Sequence, residues 1–136
     1  MNMSMSDTPA GPHYFLLDDV EWPDESVAPT APRELMEKAR QSGARRKYLA
    51  RGEGGFFTQY SEFPAGFTVP MHSHDHNEVI FCTGGSLTML GTAGPTLRAG
   101  DSMVLIGGYE YGCTAGPDGM TIVTIRTEKA QTALKA

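Results

Sequence analysis

Cysteine is scarce in this chain. Cys82 and Cys113 are the only two, too few for a disulfide framework, and both sit in apolar, strand-like surroundings, so buried free thiols in a reducing compartment are expected. Positive charge is also short: 11 Lys and Arg against 16 Asp and Glu leave a net charge of −5, which argues against a nucleic-acid partner, since that would need a clustered basic face. The densest basic stretch is RQSGARRKYLAR, with Arg40, Arg45, Arg46, Lys47 and Arg51, and it reads as a solvated face or an anion-tolerant edge. No window approaches the roughly 18 apolar residues that would cross a membrane, so no membrane partner is expected. The opening MNMSMSDTPAGP has neither a basic start nor an apolar run. It reads as a disordered lead over residues 1–12 rather than a secretory signal, and a cytoplasmic location is the default expectation.

Helical periodicity is nearly absent too. PRELMEKARQSG is the one helix candidate: Pro32 suits a first turn, Leu35, Met36 and Ala39 form a short apolar stripe, and Gly43 stops it. Before it come a short strand expected over His13–Leu17 and a connector rich in proline (Pro23, Pro29, Pro32). After it the chain breaks into short apolar runs bounded by Gly, Pro, Asn or Asp, the pattern of a β-sandwich or barrel. A lead over 1–12, an N-terminal strand, connector and helix over 13–51, and a β-barrel over 52–136 make one globular domain.

What the chain does have is concentrated in PMHSHDHNEVIFCTGG. Three of its four histidines, His72, His74 and His76, stand at alternate positions, and Glu78 follows in the same parity. Neutral imidazole is the commonest metal ligand, and a carboxylate beside two imidazoles suits a divalent ion. In a strand, His72 and His74 project to one side, roughly 6.5–7 Å apart along the chain. The turn-forming Asp75, His76 and Asn77 should send the chain back as a hairpin, bringing Glu78 opposite the histidine pair, with His76 exposed at the turn. By strand parity, Ile80 and Cys82 should face inward with Glu78, while Val79 and Phe81 face outward. His13 is isolated and expected to be structural or exposed.

At this point the residues match a pattern. Gly66, five residues, His72, one, His74, three, Glu78, six and Gly85 resembles the first motif of the cupins, G-x5-H-x-H-x3-4-E-x6-G. A second motif, roughly G-x5-P-x-G-x2-H-x3-N, is met only in part. Gly100 and Gly108 match, but Ile106 stands where proline is usual and Tyr111 where the fourth ligand, a histidine, is expected. The resemblance runs over about residues 56–127. It implies an all-β fold, the cupin-type double-stranded β-helix (a small jelly-roll barrel), here with a short N-terminal helix. It also implies one divalent ion per chain held by His72, His74 and Glu78, Tyr111 facing the same cavity in a catalytic role, and a homodimer. A phenol is a poor ligand unless the metal deprotonates it, so Tyr111 can ligate, hydrogen-bond water or substrate, or simply pack.

With three protein ligands the site resembles a 2-His-1-carboxylate triad, which leaves positions for substrate and dioxygen on Fe(II). Mn, Ni, Cu and Zn fit the same spacing. The leading expectation is a dioxygenase-type, metal-dependent oxidoreductase acting on a small organic molecule. The alternatives are a metal-dependent isomerase or cyclase, a non-catalytic metal- or ligand-binding module, and a metal-free cupin with a histidine base.

Overall fold

The computed structural model describes residues 11–23, 41 and 43–128, and the backbone of 132–134. The helix expected over 32–43, Arg40, and most of the lead lie outside the described residues, apart from a helical Gln41. Eight strands follow: β1 (Arg45–Arg51), β2 (Phe57–Phe63), β3 (Thr68–His74), β4 (Glu78–Met89), β5 (Leu97–Arg98), β6 (Ser102–Leu105), β7 (Tyr111–Arg126) and β8 (Thr132–Leu134). The fold is all-β, and every pairing is antiparallel.

β7 organises the barrel. Its second half pairs with β2, from Phe57↔Arg126 to Phe63↔Met120, and its first half pairs with β3, including His72↔Tyr111. β4 runs along its other edge, from Glu78↔Arg126 to Met89↔Cys113. β1 extends the sheet beyond β2, β8 beyond β3, and β5 and β6 flank β4. Two long strands therefore stand where the glycine pairs suggested four short ones. The register of β4 shifts on both sides of Gly84 and Gly85, so the glycines bend the strand instead of ending it. Gly85 has φ +62 and lies so close to the Gly119 carbonyl that no Cβ fits.

Alternation along β4 and β7 places the core. Ile80 and Cys82 are buried and Phe81 is exposed, as parity requires. Cys82, Leu87, Leu97, Cys113, Ala115 and Met120 form the main apolar cluster; Ile80, Leu105 and Tyr111 form a second beside it. Both cysteines are free and buried.

The N-terminal segment differs from expectation. His13–Leu16 is irregular, and a 3-10 turn over Leu17–Asp19 follows. No strand forms there because Leu16, Leu17 and Tyr14 stay exposed and no edge takes up their backbone. His13 is exposed. The basic stretch of β1 is not uniformly solvated either. Lys47 is buried, donates from Nζ to the Leu17 carbonyl at 2.7 Å, and lies 4.5 Å from the Trp22 ring centre, with Arg45 over the same ring at 4.0 Å. Trp22 supplies a π face that compensates the loss of water.

Candidate metal centre

Glu78, the first residue of β4, is the centre of the site. Its carboxylate is buried and faces four side chains. Tyr111 donates its O–H to Oε1 at 3.2 Å, and His74 Nε2 lies 3.5 Å from the same oxygen. His76 Nε2 is 3.6 Å from Oε2, and Arg126 donates from Nη2 to Oε2 at 3.4 Å. The phenol oxygen is also 3.2 Å from His74 Nε2, so its single proton is shared between two acceptor directions.

Local sequence explains how these groups converge. Pro70 has no N–H to give the ladder, and the β3–β7 register breaks between Val69 and His72. His72 then pairs with Tyr111, and its Nδ1 sits 2.7 Å from the Pro70 carbonyl. That contact fixes the proton on Nδ1 and leaves Nε2 with its lone pair. The expected β3–β4 hairpin does not form. β3 pairs with β7 and β8, whereas β4 pairs with β5, β6 and β7, so Glu78 meets His74 across the barrel interior rather than across a ladder.

His76 also departs from expectation: it is only 5% exposed. The loop between β6 and β7 closes over its turn. Gly107 lies against the His76 backbone, where an added Cβ would stand 3.1 Å from its nitrogen. The Gly107 N–H donates to Asn77 Oδ1 at 2.8 Å and the Gly108 N–H to the His74 carbonyl at 2.7 Å. Asp75 Oδ1 accepts from His76 Nδ1 at 2.9 Å, which turns Nε2 inward. The nitrogen has no hydrogen-bond partner among the described residues.

Ligand atoms of His74, His76 and Glu78 all lie within 4.8 Å of one another. His72 stands next to this group, its ring centre 5.0 Å from that of His74 and 4.3 Å from that of Tyr111. Two imidazoles and a carboxylate, one imidazole nitrogen buried without a partner, fit a first-row divalent ion. Burial holds His74 below its ordinary pKa, outweighing the nearby Glu78 carboxylate, so the ring is neutral and able to ligate at pH 7. Burial and then Glu78 push the Tyr111 phenol well above its usual range, so it stays protonated beside the carboxylate. Burial raises the Cys113 thiol to about 12, which keeps it an inert core group.

No family model and no curated protein matches the chain. Solved structures do. KdgF from Halomonas sp. superposes with a TM-score of 0.61 at 20% identity, over 87% of this chain and 96% of that one. An RmlC-like cupin from Shewanella frigidimarina gives 0.62 at 18%, over 85% and 90%. An oxalate oxidase gives 0.56 at 20%, over 68% and 55%. The chain has the cupin fold. At these identities the likeness speaks for the fold alone.

Tyr111 is buried against the Glu78 carboxylate, and Ile106, where the sequence motif led one to expect proline, is exposed on the loop between β6 and β7. Sequence reasoning missed two participants. His76 carried a usable signal, its parity with His72, His74 and Glu78, but its turn position suggested exposure. Arg126 gave less: in MTIVTIRT each parity carries two apolar residues, so which face turned inward was undetermined.

Proposed function

We propose that this cupin is a metal-dependent enzyme acting on a small organic molecule, with one divalent ion held by His74, His76 and Glu78. The observation that carries the reading is the buried, unpartnered Nε2 of His76, aimed at a carboxylate that His74 already faces. A lone pair left bare in the interior is costly unless something fills it. His72 is the second reading for the third ligand. The Pro70 carbonyl holds its Nδ1 proton, leaving Nε2 as a donor atom, which is the usual support for a ligating histidine.

The ion would supply Lewis acidity, and as Fe(II), our first choice over Mn, Ni, Cu or Zn, the capacity to engage dioxygen. The chain's residues do the rest. Three protein donors leave positions for substrate. Tyr111 holds Glu78 through its single O–H, which leaves the Oη lone pairs, beside the ring of His74, to accept a hydrogen bond from the bound molecule. The reaction class we propose is oxidation by dioxygen. Isomerisation at the same Lewis acid is the alternative, and dioxygen uptake by iron-loaded protein over a panel of small organic acids separates them.

The test of the centre is metal content by elemental mass spectrometry on protein purified without a nickel resin. His74→Ala should lose the ion with the β spectrum in circular dichroism intact. His76→Ala should lose it as well, and His72→Ala should retain it; the reverse order moves the site to the His72 reading. Full metal content in His74→Ala would end both. A homodimer belongs to the same proposal. Phe81 and Val104 lie exposed on the outer sheet face, and light scattering at micromolar concentration checks it.

A further inference from the structure

Arg126 is a guanidinium buried in a barrel, and its bonding is incomplete. Its side chain is 8% exposed, and Nη2 makes one long contact, 3.4 Å to Glu78 Oε2. Nε, on the same open edge of the guanidinium, has no partner among the described residues. That edge can grip a carboxylate with two parallel hydrogen bonds. Glu78 uses half of it, and weakly.

Charge points the same way. Apart from histidines, the buried charged side chains among the described residues are Lys47, Glu78 and Arg126. Lys47 pairs with Tyr60, so it occupies the sheet face opposite Gln59 and Ser61 and serves Leu17 and Trp22. Glu78 and Arg126 alone balance each other. Once Glu78 serves a divalent ion, the same interior carries two uncompensated positive charges, and buried charge without a partner is unfavourable. An anionic ligand would offset that excess.

The neighbours of Arg126 define its body. Gln59 pairs with Thr124, two residues from Arg126 on β7, so both share its face. Gln59 donates from Nε2 to Ser61 Oγ at 3.1 Å, and Gln59, Ser61 and Thr124 are all buried. A polar strip of amide and hydroxyls thus leads away from the guanidinium, suited to hydroxyl groups rather than to a hydrocarbon tail.

We propose that Arg126 is the anion-binding residue of this site, and that the molecule it admits is a small hydroxylated carboxylate, its charge shared between Arg126 and the ion. This rests on the metal reading above. It deepens that reading by naming the substrate class.

Glycolate and its neutral amide, glycolamide, are the probes. Cobalt(II)-loaded protein should bind glycolate at least tenfold more tightly than glycolamide by calorimetry, with a change in the visible cobalt bands as the acid enters. Arg126→Gln should lose tenfold or more of the glycolate affinity while keeping its cobalt stoichiometry, and Arg126→Lys should recover part of it. Glycolate affinity within twofold of wild type in Arg126→Gln, or no preference of the wild type for acid over amide, overturns the proposal.

A metal-free arm separates this failure from failure of the metal reading. Glu78→Gln removes the buried counter-charge, so that protein should take up glycolate with no ion present, and Glu78→Gln/Arg126→Gln should not. If wild type binds no cobalt, the metal reading falls and this arm decides alone: uptake that depends on Arg126 sustains the anion site, and no uptake ends it.

Discussion

The same two strands, β4 and β7, build two unlike interiors. Through their middles, Cys82, Leu87, Cys113, Ala115 and Met120 pack a dry cluster. At their ends the inward positions become Glu78, Tyr111 and Arg126, joined by His74 and His76 from β3 and its turn. The inward face of one sheet thus passes from hydrocarbon to charge along the same two strands. The dry region specifies stability through volume, since a close-packed interior registers a change of a single methylene. The polar region is over-supplied with groups that want partners: among the described residues, Nε2 of His76 and Nε of Arg126 have no hydrogen-bond partner. A fold that satisfied only itself would not leave such atoms buried. The contrast separates an interior that is complete from the one to which the proposed ion and anion are assigned.

The largest effect should come from breaking the dry side. Leu87 is 1% exposed, and Leu87→Ala removes its branched end from the cluster. A loss of about 2–5 kcal/mol is expected from transfer and cavity terms together. Urea denaturation measures it. Metal content of the protein that remains folded should not change, because Leu87 belongs to the apolar cluster and not to the polar group; a parallel loss of metal would show that the two interiors are one cooperative unit.

A middle effect should come from the polar side at Tyr111. Tyr111→Phe keeps the ring, which packs with Ile80 and Leu105, and deletes the O–H to Glu78. Metal should be retained, while ligand affinity or turnover should fall by roughly tenfold or more, the scale of one buried hydrogen bond of about 1–3 kcal/mol. Metal loss in this variant would instead make the phenol a ligand. No change in either quantity would reduce Tyr111 to packing.

How much of this contrast is legible in the sequence follows from what strand alternation can and cannot encode. Period two, with Gly and Pro punctuation, announces the β fold and puts Glu78, Ile80 and Cys82 on one face. It does not decide whether a glycine pair ends a strand or bends it, because that depends on whether a partner strand continues beyond. Gly84–Gly85 and Gly116–Gly119 lie within β4 and β7 for this reason. The histidine cluster is legible as chemistry, but which imidazoles converge is not. The burial of His76 comes from the loop around Gly107, some thirty residues on in the chain. Arg126 is harder still. Its inward orientation is set by its pairing with Phe57 and Glu78, two long-range registers that no local pattern contains.

The smallest expected effect is one of pH, and it sharpens the comparison by asking whether the polar interior behaves as a desolvated one. Burial, outweighing the attraction of Glu78, lowers the pKa of His74 from an ordinary 6.5. In the unfolded chain the ring takes up a proton as pH falls through 6.5, while in the folded chain it stays neutral until its lower pKa is reached. Between those two values the unfolded state binds more protons, so metal-free protein should lose stability as pH falls below 6.5 and level off once the folded ring also protonates. A single partly buried ring makes this a gentle slope rather than a collapse. His74→Gln keeps a polar side chain without the titration, so its stability should be flatter over the same interval in denaturant midpoints read between pH 7 and pH 5. Equal slopes for wild type and variant would mean that water screens the ring in the folded state, and the polar interior would then be wetter than its geometry implies.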